Sequence, residues 1–137
     1  MFGTMQSPTQ AYSRVGIETS IQDASPHQLI ALLFEGAQKS IVIARAGMEK
    51  GDIPQKGMAI TKAIDIILNG LRISINLEEG GDLAQNLYAL YDYMARRLLY
   101  ANMHNDALAL DEVQNLLGEI HGAWMDIGKQ AGAAPTP

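Results

Sequence analysis

The chain contains no cysteine. That excludes disulfides, zinc–thiolate sites, iron–sulfur clusters and a cysteine nucleophile. Charge is scarce too: Asp, Glu, Lys and Arg make up 18% of the 137 residues. Ten basic residues are scattered among fifteen acidic ones, for a net charge of −5. No basic stripe stands out, so neither nucleic acid nor an anionic membrane surface is expected as a partner. No run approaches the ~18 consecutive apolar residues of a membrane span, so direct membrane insertion is not expected. The segment from Met1 to Arg14 lacks the charged-then-apolar order of a signal peptide. The expected location is therefore the cytoplasm.

Catalytic signatures are missing as well. There is no phosphate-binding glycine loop ending in Lys-Ser/Thr, no dinucleotide glycine fingerprint and no nucleophile elbow. The three histidines, His27, His104 and His121, are far apart in sequence. A di-iron carboxylate bundle uses Glu-x-x-His on two helices, and that spacing never occurs. Glu119 and His121 are two apart and point to different helix faces. No catalytic residue, metal or cofactor is expected.

What is present is helical periodicity. A chain of this length argues for one domain, and its 47% apolar content is enough to build a core. Residues 1–24 are rich in Ser, Thr, Gln and Gly, with Tyr12, Val15, Ile17 and Ile21 isolated among them, and are expected to form a flexible N-terminal arm. Residues 128–137, made largely of Gly, Ala, Pro and Thr, are expected to form a disordered tail. Between them, residues 25–127 predict an antiparallel up-down four-helix bundle, since short loops favour antiparallel neighbours.

The first helix opens at Ser25-Pro26-His27-Gln28, a capping box with proline at N1. Ile30, Phe34, Ala37, Ile41, Ala44 and Met48 then share one face, and the helix stops near Gly51-Asp52-Ile53-Pro54. The second is expected from about Gln55 to Leu77, ended by Gly80-Gly81. The third is expected to start at Asp82-x-x-Gln85, again with capping-box spacing, and to turn Leu83, Leu87, Leu90, Met94 and Leu98 inward. After a turn at Asn102–Asp106, the fourth carries Leu110, Val113, Leu117, Ile120, Trp124 and Ile127.

The second helix carries two apolar stripes rather than one. Ile60, Ile64, Ile67, Leu71 and Ile75 form the first; Ala59, Ala63, Ile66, Gly70, Ile73 and Leu77 form the second. Two readings follow. Either this is the central helix, buried by the other three, or its second stripe faces a groove left open for another chain. Gly70 favours the groove, because glycine inside a helix costs roughly 1 kcal/mol relative to alanine and permits close approach. Tyr88 and Tyr91 are expected to pack beside the third helix's core face, with Asp92 and Tyr93 facing water or pairing with Arg96, which lies four residues after Asp92. The alternative function from these features is a self-associating structural bundle, a homodimer, without enzymatic activity.

The ordered set of local motifs resembles the bacterial flagellar export chaperone family FliS. It comprises Ala11-Tyr12 with Val15 and Glu18-Thr19; Ala24-Ser25-Pro26-His27-Gln28-Leu29-Ile30 with Leu33-Phe34-Glu35-Gly36-Ala37; Lys62-Ala63 with Ile66-Ile67; Gly80-Gly81-Asp82-Leu83-Ala84 with Asn86-Leu87; Leu90-Tyr91-Asp92-Tyr93-Met94; Ala101-Asn102; Glu112-Val113 with Leu116-Leu117; and Ala123-Trp124. Phe34-Glu35-Gly36 stands where many members have Tyr-Asp-Gly. The resemblance implies an ATP-independent cytoplasmic chaperone that binds the disordered C-terminal segment of flagellin. It also implies that the chaperone prevents premature polymerisation and aids delivery to the flagellar type III export gate. The arm around Tyr12 is implied to lie over part of the groove. The residues expected to contact the partner are Tyr12, Val15, Ala59, Ala63, Ile66, Gly70, Ile73, Leu77, Leu83, Tyr88 and Tyr91.

Overall fold

The computed structural model describes residues 24–133, with side chains through Lys129. Tyr12, Val15 and the rest of the expected arm up to Asp23 lie outside the described residues. Among the described residues there are four helices and no strand: α1 (Pro26–Lys50), α2 (Ile53–Ile66), α3 (Leu77–His104) and α4 (Ala107–Ala133). A π turn (Ile67–Leu71) and a 3-10 turn (Arg72–Ser74) extend α2.

The first helix starts as its sequence dictates. Gln28 N–H donates to the Ser25 hydroxyl at 3.1 Å, and Ser25 N–H donates to the Gln28 side chain at 2.8 Å. At its other end Gly51 turns left-handed (φ 74°), and Asp52 N–H reaches back to Gly47 O at 2.8 Å. These bonds satisfy carbonyls that the helix end would leave bare. Asp52 then caps α2 at once by accepting from Gln55 N–H at 3.0 Å. The tight linker forces α1 and α2 to run antiparallel.

Long-range pairs fix the other seams. Along α1 and α4, Arg45 pairs with Asp111, Gln38 O accepts from Gln114 at 3.1 Å, and His27 meets Trp124. Residue numbers fall on one helix as they rise on the other, so these helices are antiparallel. Arg97 with Glu112 at 2.7 Å joins α3 to α4. Arg72 with Asp92 at 3.1 Å joins the end of the second helix to α3. Lys56 is buried beside the end of α3, where its ammonium donates to Asn102 O at 3.0 Å and to the Asn105 side chain at 3.1 Å. A cation there complements the negative end of the helix dipole.

Leu33, Phe34 and Ile41 from α1, Ile60, Ile66 and Ile67 from the second helix, Met94 and Leu98 from α3, and Leu110, Val113 and Leu117 from α4 fill the interior. Each such side chain contributes about 1.5–3 kcal/mol on full burial.

Three boundaries differ from the sequence expectation. The second helix ends at Ser74, and Ile75 is extended (φ −78°, ψ 134°). The third begins at Leu77 rather than Asp82, because Asn76 takes the cap: its side-chain oxygen accepts from Glu78 and Glu79 N–H, both at 3.1 Å. Gly81, at φ 59° and ψ −143°, then kinks α3 after one turn. That backbone region is open only to glycine, so Gly80-Gly81 mark a kink inside α3 and not the end of the second helix. The fourth helix continues through Ala133, past the point where a disordered tail was expected; residues 134–137 lie outside the described residues.

Candidate functional site

The start of α1, the end of the second helix, the start of α3 and the end of α4 meet at one end of the bundle. There they enclose a groove of about 690 Å³. Ile30 and Phe34 come from α1, Leu71 and Ile75 from the second helix, Leu83, Ala84, Leu87 and Tyr91 from α3, and Ile120, Ala123, Trp124 and Ile127 from α4. The interrupted backbone between Leu71 and Gly81 forms one wall. Ser74, Asn76, Glu79 and Gly80 stand along it. The apolar rim is wet: Leu83 is 78% exposed and Ile127 55%. Apolar side chains held in water around a concavity favour an apolar occupant.

Most polar groups of the wall are already used. Ser74 Oγ donates to Gly70 O at 2.6 Å, and the Asn76 oxygen caps α3. The opposite wall is held by a reciprocal clasp. Trp124 Nε1–H donates to His27 O at 3.0 Å, and His27 Nε2 lies 2.6 Å from Trp124 O. A carbonyl only accepts, so the His27 proton sits on Nε2. The two rings stack with centroids 4.6 Å apart and 5° between planes. His27 reaches this position because residue 128 is glycine: a Cβ there would stand 2.3 Å from the His27 ring. His121 stacks on Phe34 at 5.3 Å just beneath. Burial pushes the Tyr91 phenol well above its ordinary value, so Tyr91 meets the groove uncharged.

Two of the expected contact residues, Leu83 and Tyr91, fall on this groove. Ala59, Ala63, Ile66 and Gly70 do not: all four are buried in the bundle, and a Cβ on Gly70 would meet Leu33 at 3.1 Å. The second stripe therefore faces the interior, toward α1 and α3, but the helix is not buried all round: Met58, Thr61 and Lys62 on its outer side are exposed. The stripe also breaks where the π and 3-10 turns change the residues per turn. Ile73 leaves that face and packs half-buried against the core, and Leu77 belongs to α3, 41% exposed. Tyr88 is half-buried, with the Arg72 guanidinium 4.9 Å from its ring centre. Asp92 pairs with Arg96, as its spacing predicts, and also with Arg72.

Sequence reasoning passed over Ile30, Leu87, Ile120, Trp124 and Ile127 as groove residues because it assigned them to core faces. The signal that separates them is positional: they lie at the helix ends that meet the Leu71–Gly81 irregularity. No described helix is long and apolar enough to cross a membrane.

A family model described as "Flagellar protein FliS" matches residues 8–131. The flagellar secretion chaperone FliS of Salmonella typhimurium is 50% identical, over 91% of this chain and 93% of its own length. The Escherichia coli protein of the same name is 45% identical over 86% and 87%, and that of Bacillus subtilis is 32% identical over 88% and 85%.

Proposed function

Because the chain belongs to the FliS family of flagellar secretion chaperones, we propose that its end groove holds the disordered C-terminal segment of flagellin as an amphipathic helix. Bound there in the cytoplasm, the segment is kept from polymerising early and is presented to the flagellar export gate. The reading needs no catalytic residue and no cofactor. The observation that carries it is the wet apolar rim: Leu83 and Ile127 project beside a groove of about 690 Å³. A segment that folds on contact buries that rim and satisfies its own backbone. Ordering it costs about 2–5 kcal/mol of the gross interaction energy, which suits a cargo that must later be released. The arm around Tyr12 and Val15 is proposed to cover part of the same groove in the free chaperone.

Co-purification tests this directly. Full-length flagellin is expected to be retained by the chaperone, and flagellin lacking its C-terminal segment is expected to pass through. Equal retention of the two would overturn the proposal. Sedimentation over a concentration series, with and without a flagellin tail peptide, separates cargo binding from self-association through the same rim.

A further inference from the structure

The groove has a charge pattern of its own. Among its described lining residues only Glu79 and Glu119 are ionisable carboxylates, and no Lys or Arg lies among them. The two stand on different walls, Glu79 in the first turn of α3 and Glu119 on α4, and both are exposed. Neither makes an ion pair within the described residues. The absence of base extends along both walls. No Lys or Arg occurs between Arg72 and Arg96, nor between Arg97 and Lys129. Arg72, the cation at the edge of this region, is held by Asp92 at 3.1 Å. Arg97 is held by Glu112 at 2.7 Å, on the outer α3–α4 seam.

We propose that Glu79 and Glu119 make the groove charge-selective, so that it admits apolar helical segments carrying Lys or Arg beside their anchors and disfavours those carrying Asp or Glu. The proposal rests on the reading that a protein helix occupies the groove, and it names which helices fit. The apolar floor supplies affinity without discriminating among amphipathic sequences. A cation placed next to an anchor meets a carboxylate at the mouth, whereas an acidic residue there meets like charge as water is removed. Discrimination then arises from repulsion of wrong segments as much as from attraction of right ones.

The test uses the full chain and two synthetic amphipathic helices with the same apolar stripe, one flanked by Lys and one by Glu, alongside the flagellin tail peptide. Wild type is expected to bind the Lys-flanked helix ~5–20-fold more tightly than the Glu-flanked one at ~50 mM salt, shrinking several-fold at ~500 mM. The Glu79→Lys/Glu119→Lys variant is expected to invert the preference. The Glu35→Lys/Glu49→Lys variant carries the same net charge but leaves the groove untouched, and is expected to keep it. If both variants change the preference equally, overall charge and not the groove carries it, and the proposal fails. It fails equally if the groove variant leaves the preference unchanged. These failures stand apart from failure of the flagellin reading, which is a wild-type chaperone that binds a synthetic helix but not the tail peptide.

Discussion

Ile66 and Leu83 set the interior of the bundle against its groove, and paired alanine substitutions separate the two. Both changes delete three carbons. Ile66 is completely buried, so Ile66→Ala loses about 2.4 kcal/mol of transfer energy at ~0.8 kcal/mol per CH₂ group. The cavity left behind adds to this, for a total of about 3–4 kcal/mol of folding stability. Leu83 is 78% exposed; only about a fifth of its side chain leaves water on folding, so Leu83→Ala is expected to cost about 0.5 kcal/mol. The remaining area is available to a partner. If a flagellin helix covers it, Leu83→Ala forfeits about 1.5–2 kcal/mol of binding, roughly a 10–30-fold rise in Kd.

Urea denaturation followed by far-ultraviolet circular dichroism gives the first quantity, and calorimetric titration with the flagellin tail peptide gives the second. Ile66→Ala, kept folded at low temperature, is expected to bind normally. The reasoning is refuted if Leu83→Ala destabilises as much as Ile66→Ala, because the groove rim would then be core. It is also refuted if folded Ile66→Ala loses binding while Leu83→Ala retains it.

Three further outcomes are expected. Gly128→Ala places a methyl 2.3 Å from the His27 ring, so it should break the clasp on Trp124, cost about 1–3 kcal/mol and shift the emission of the single tryptophan; unchanged emission would show that the clasp absorbs a methyl. Gly81→Ala forces alanine to φ 59°, ψ −143° and is expected to cost about 1–3 kcal/mol, with amide exchange rising first in Leu77–Gly80; uniform exchange would refute the kink's local role. Hydrogen bonds from Tyr93 and Arg97 hold the Glu112 carboxyl below its usual value of 4.5. The folded-state value lies under the unfolded one, so this stability is present above pH 4.5 and is lost as pH falls through the folded-state value. The stability gap between wild type and Glu112→Gln should therefore narrow on acidification, and a constant gap would exclude the carboxylate as its source.

The parts of the fold that were legible in the sequence rest on local chemistry. Ser25 and Gln28 form the capping box that their spacing announces, and the apolar period of three and four places Phe34, Met94, Leu98, Val113 and Leu117 inward, where they are. The region from Ile67 to Gly81 was not legible in the same way. A stripe drawn at 3.6 residues per turn through Ile66, Gly70, Ile73 and Leu77 assumes unbroken α geometry. The π turn, the 3-10 turn and extended Ile75 carry these residues to different surroundings. Asp82-x-x-Gln85 has the spacing of a cap, but Asn76 lies earlier in the chain and already satisfies the first free N–H groups.

The groove follows from the same irregularity. An apolar stripe tells which face of a helix turns toward the bundle axis. It does not tell whether, at a given level along that axis, a neighbouring helix fills the facing space. Ile30 and Trp124 continue the stripes that run through Ile41 and Leu117, and nothing in their spacing marks a change of role. The change is made by the opposite wall, where the second helix ends and α3 starts with one short turn before its kink. There the inward faces of α1 and α4 meet a recess instead of a packed side chain. Residues that would be core in an uninterrupted bundle become the floor of a binding groove, so core and groove share one sequence signature and differ only in what stands across from them.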